Sequence, residues 1–176
     1  AVVLVPNVYE DTFLGALSPK IERLKTVTKP KIVVVGGSSV AFGLDSALLS
    51  EYTGYEVVNF GLYATLGTKL MMDTALDAIS SGDIVILAPE LSAQTYSLYF
   101  NPDATLQALG GLSTLYTKLS LGDCVALAHN YFEYSFDRIG YARNINAPEP
   151  VGIYRADSLN GYGDISVDRP NNIMNN

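Results

Sequence analysis

The chain has one cysteine and one histidine in 176 residues, and only eleven basic residues against eighteen acidic ones. A single cysteine, Cys124, excludes an internal disulfide and a cysteine metal cluster, but leaves the redox compartment open. With His129 as the only histidine, a zinc site has too few ligands, and no cofactor or metal is expected. The net charge of −7 argues against a nucleic-acid or anionic-membrane partner, since both need a basic face. Long apolar runs are missing too. Ala1-Val-Val-Leu-Val-Pro6 is too short to cross a bilayer, and reads equally as a first strand or as the tail of a removed membrane anchor or signal segment. No internal repeat is visible.

What is present is an apolar fraction of 48%, enough for one core and one domain. Lys31-Ile-Val-Val-Val-Gly-Gly-Ser-Ser-Val40 is the most informative stretch. Its four consecutive apolar residues, Ile32 to Val35, predict a strand buried on both faces. Gly36 and Gly37 then allow a sharp turn, and Asp45 is a plausible N-cap for a helix over 46–52, with Gly54 as its stop. Glu56 to Phe60 and Asp83 to Ala88 read as two further strands. Between them Leu66, Leu70, Met71, Thr74, Ala75, Ala78 and Ile79 recur at helical spacing, with Gly82 as the stop. Strand, helix, strand, helix, strand implies a parallel sheet. The first strand is the most apolar, so the expected local order is 2-1-3. Helices are predicted over 103–120, interrupted at Gly110-Gly111, and over 123–139. The expected organisation is a lead-in segment over 1–29, an α/β domain over 30–141 and an extended polar surface segment over 142–176.

Ser38 and Ser39 thus fall where a central strand ends and a helix approaches, the place where open α/β sheets collect their chemistry. Gly37-Ser38-Ser39-Val40 resembles the first block of the SGNH (GDSL-like) hydrolases, whose Gly-Asp-Ser motif presents a nucleophilic serine. Serine in place of aspartate is similar to the DltD-like, cell-surface polysaccharide O-acyltransferase-associated branch. Val57-Val58-Asn59-Phe60-Gly61 is similar to the second block, whose glycine N–H serves the oxyanion. The resemblance covers roughly residues 31 to 90, and implies a three-layer, flavodoxin-like α/β fold. Two departures stand out. Leu87-Ala88-Pro89-Glu90-Leu91 occupies the place of the family's Gly-x-Asn-Asp, and an ionised Glu90 accepts hydrogen bonds and repels an oxyanion where asparagine would donate. The terminal Asp-x-x-His block has no match, and is expected from sequence beyond Asn176.

The resemblance makes Ser39 the candidate nucleophile, with Gly61 assisting the oxyanion and the N–H of Ser39 or Val40 as further donors. Ser38 is read as a hydrogen-bonding partner within the loop. Glu90 would position a substrate hydroxyl, or act as a base. His129 lies among apolar neighbours on a predicted helix and is read as a partly buried core or surface histidine rather than a catalytic base. Asn59 and Asp45 are assigned to loop geometry and capping. Tyr96, Tyr99, Tyr131 and Tyr134 are candidates for a sugar-binding groove, with packing the plainer role. Gly161-Tyr162-Gly163-Asp164 reads as a turn cluster without assigned chemistry.

The function expected is an SGNH-type serine esterase or O-acyltransferase acting on cell-surface polysaccharide. Its partner would be an acylated glycan or small acyl ester, and its setting extracellular or the cell envelope. The alternative is a non-catalytic glycan-binding or scaffolding module on the same fold. A phosphate cradle formed by Gly36-Gly-Ser-Ser39 ranks last, because no Walker lysine accompanies it.

Overall fold

In a computed structural model, residues 7–90, 100–110, 112–143, 150 and 152–166 are described. Three strands, β1 (Lys31–Gly36), β2 (Glu56–Gly61) and β3 (Ile84–Ala88), form one sheet in the order β2-β1-β3. All pairing is parallel, with Val33 opposite Val58 on one side and Val85 on the other. The most apolar run therefore takes the central position, as expected from its two buried faces.

Alternation along β1 divides the core. Val33 and Val35 join Val58 and Phe60 beneath α1 (Leu17–Thr26) and α4 (Thr68–Leu76), which contribute Leu17, Leu24, Met71 and Ala75. Ile32 and Val34 turn the other way with Val57, and meet Val40 of α2 (Ser38–Gly43) and Leu49 of α3 (Ser46–Thr53). The result is a three-layer α/β fold. Helix α3 starts as its sequence predicts: the Asp45 side chain accepts from the Leu48 N–H, and Gly54 closes the helix at φ 73°. α5 (Pro102–Leu109) ends at Gly110, and α6 (Leu121–Tyr141) opens with a Ser120/Asp123 capping box.

The two flanking segments differ from expectation. The region read as a lead-in carries α1, whose Leu17, Ile21 and Leu24 belong to the core. The 142–176 region was expected at the surface, yet its longest described stretch, 152–166, is fastened into the domain. Thr12 pairs with Arg155, the Ala156 N–H donates to Asp11 O at 3.0 Å, and the Ile165 N–H donates to Ala41 O at 2.9 Å. Its Asn, Gly and Asp residues make tight turns with buried polar contacts, so the missing apolar periodicity did not mean exposure.

Candidate functional site

The loop after β1 meets the end of β3. Gly37 is the enabling residue, because a Cβ there would collide with the Glu90 carboxylate and with Ala64. Glu90 Oε1 accepts from Ser38 Oγ and from the Ser39 N–H, both at 3.0 Å. Ser38 is thus the hydroxyl paired with the carboxylate, within the loop as expected. Ser39 is exposed, and its Oγ makes no hydrogen bond among the described residues.

These groups line an open cleft of about 810 Å³ with Phe13, Phe42, Tyr63, Pro89 and Tyr154. Its aromatic wall is a packed trio. Phe42 lies 5.5 Å from Phe13 and 5.5 Å from Tyr154, and Phe13 meets Tyr154 edge-on at 5.9 Å. Phe13 comes from the supposed lead-in and Tyr154 from the supposed tail.

Ser39 and Glu90 are brought together as expected; Gly61 is not among the residues that line the cleft. Its N–H donates to Asn59 Oδ1 at 2.9 Å, and a Cβ on it would strike Val40. Its small size serves the packing of α2 on β2, so the geometry gives no support to an oxyanion role. The Val40 N–H is also engaged, with Gly37 O at 3.2 Å. His129 sits exposed on α6, outside the cleft lining. Tyr131 and Tyr134 lie in another cluster, where Tyr134 stacks on Tyr9 at 5.8 Å and lies under the Arg138 guanidinium. Burial raises the Tyr134 hydroxyl pKa. Tyr96 and Tyr99 fall outside the described residues.

A second polar cluster lies beside the cleft, behind α2. Asp164, from the unassigned turn, is buried and accepts from the Ser46 N–H at 3.0 Å, Ser46 Oγ at 2.6 Å and Asn59 Nδ2 at 2.8 Å. Asn59 Nδ2 also donates to Val40 O at 2.9 Å. From α1, the buried Lys20 Nζ donates to Asn59 O at 2.9 Å and to Gly163 O at 2.5 Å. Burial pushes the Lys20 ammonium down from 10.5 to about 7, against the pull of Asp164. Gly163 is required at φ 94°, where a side chain would meet Asn59 O. The sequence did carry one signal for this cluster: a buried asparagine in the apolar run Val57-Val58-Asn59-Phe60 needs partners.

Among the described residues, no group of three or more His, Cys, Asp or Glu side chains is placed to hold a metal ion. A phosphate at the Ser38–Ser39 loop would meet the Glu90 carboxylate already hydrogen-bonded there, which disfavours a phosphate cradle. No protein-family model, curated protein or solved structure matches the chain.

Proposed function

We propose that the chain carries the nucleophile half of an SGNH-type serine acyl-transfer site, acting as an esterase or O-acyltransferase on an acylated glycan or small acyl ester of the cell envelope. One observation supports it most: the Ser39 hydroxyl has no hydrogen-bond partner among the described residues and stands at the end of the central strand, at the mouth of an aromatic-walled cleft. In this reading Ser39 Oγ bonds to the acyl carbon and its proton passes to an imidazole base. The substrate's alkoxide leaves with that proton, and water or a second hydroxyl then releases the acyl group. The imidazole would have to come from outside this sequence, whose single histidine, His129, does not line the cleft. The Phe13–Phe42–Tyr154 wall offers an apolar face to a sugar ring or an acyl chain. No helix among the described residues is long and apolar enough to cross a membrane.

The test is covalent mapping with a fluorophosphonate. Slow modification of Ser39, lost in Ser39→Ala and unchanged in His129→Ala, is the expected result. An adduct on another residue, or one that survives Ser39→Ala, would sink the reading. Its rival is a binding module without catalysis, favoured by the carboxylate that Glu90 places on the Ser39 N–H. That module predicts glycan binding with no adduct at Ser39.

A further inference from the structure

Two donors flank the Ser39 hydroxyl, and one oxygen takes both. Glu90 Oε1 lies 3.0 Å from the Ser39 nitrogen and 3.0 Å from Ser38 Oγ. An acyl oxygen gaining charge at Ser39 needs that same N–H. Two other candidate amides among the described residues are engaged, Val40 N–H by Gly37 O and Gly61 N–H by Asn59 Oδ1. A developing oxyanion beside an ionised carboxylate is repelled by it, and the two cannot share one amide proton. The carboxylate is half-buried and borders an open cleft, so it has space to move into.

We propose that Glu90 is an internal occupant of the acyl-oxygen position, a self-inhibitory contact that must leave the Ser39 N–H before Ser39 reacts. The proposal rests on the acyl-transfer reading of Ser39. It gives Glu90 a role opposite to that of a general base: its removal should raise reactivity at Ser39.

The experiment uses the whole 176-residue chain, a fluorophosphonate, and imidazole as an external base. In the labelling step a Ser39 Oγ–P bond forms, the P–F bond breaks, fluoride leaves and the proton goes to imidazole. Ser39 occupancy is followed in time by mass spectrometry. Glu90→Ala is expected to label at least about tenfold faster than the parent chain, in the direction opposite to a lost catalytic group. Glu90→Gln, which keeps an acceptor but removes the charge, should fall between the two. Equal or slower labelling of Glu90→Ala overturns the proposal; if the parent still labels at Ser39, the acyl-transfer reading survives that failure. No Ser39 adduct in either chain, with Glu90→Ala folded by thermal melting, overturns both. Should Glu90→Ala fail to fold, Glu90→Gln decides by the same criterion.

Discussion

The two edges of the sheet are finished in opposite ways. At the outer edge of β2, the Asn59 N–H donates to Tyr162 O at 2.9 Å and Asn59 O accepts from Lys20. Arg23 adds an ion pair to Glu56 at 3.1 Å and lies over the Tyr162 ring. At the outer edge of β3, no strand pairs among the described residues, and Ile84, Val85, Ile86 and Leu87 are 36–48% exposed. Exposed edge strands are usually blunted by charge, proline or a bulge; β3 has none of these between Ile84 and Ala88. Its start is pinned by a Lys31–Asp83 ion pair of 3.0 Å with both side chains buried, and the chain just past its end by the hydrogen bonds to Glu90. Among the described residues, one edge is therefore closed by buried polar contacts from distant segments, while the other is held by its pairing with β1.

The largest break in this comparison should come from Asp164→Ala. It would leave Ser46 without its acceptor, Asn59 Nδ2 with Val40 O alone, and Lys20 without its nearby counter-charge. Loss of one member from such a buried set costs about 3–5 kcal/mol, read as a lower midpoint in urea unfolding. A midpoint within error of the parent chain would show that the β2 edge does not need this cluster.

Asp83→Asn should follow, at about 3 kcal/mol, since it leaves the Lys31 ammonium buried without its carboxylate. Burial alone would raise the Asp83 pKa, but hydrogen bonds from Ser80 and Lys31, with the Lys31 charge, hold it below the usual value. A depressed carboxylate stabilises the fold above its unfolded pKa, and that contribution is lost as pH falls through the lower folded value. Acidification from pH 5 to pH 2 should therefore destabilise the parent chain more than Asp83→Asn. Parallel losses in the two chains would remove Asp83 from the acid response.

Lys20→Met tests the β2 edge through pH. Between about 7 and 10.5 the unfolded lysine holds a proton that the buried one has shed. The unfolded state binds more protons there, so stability rises with pH, by at most about 1.4 kcal/mol per pH unit. The contribution is complete above 10.5 and lost as pH falls to about 7. Lys20→Met should flatten that rise; an unchanged slope would mean that other groups produce it.

How much of this could be read from sequence follows from the kind of interaction. The sheet was legible because Ile32–Val35 and its two parallel neighbours carry local periodicity, and the Asp45 and Gly54 signals act within one turn. Ser39 and Glu90 were legible as neighbours because both follow strands of one parallel sheet. Gly61 misled because a glycine after a strand serves close packing as readily as oxyanion binding, and only the position of Val40 distinguishes the two. Asp164 and Tyr154 were not legible as site residues. Asp164 meets Ser46 across 118 positions, and no local pattern announces a contact of that range. The same holds for Lys20, which looks like any helix lysine until its carbonyl partners are known.

The smallest effect is expected at the β3 edge, which no strand covers among the described residues. Ile86 faces the α2/α3 side of β3, but belongs to neither of the two clusters that fill the sheet's faces and is 41% exposed. Ile86→Lys therefore removes little buried apolar surface, and a lysine's stem can lie along the strand with its ammonium in water. The expected change is within about 0.5 kcal/mol, the range of surface substitutions. Val34→Lys, in the register position opposite Ile86 on β1 and only 5% exposed, should prevent folding. A charge on β3 should also lower self-association by opposing edge-to-edge pairing, read as a smaller concentration dependence in light scattering. If Ile86→Lys instead costs several kcal/mol in the monomeric chain, β3 is covered and the contrast between the two edges fails.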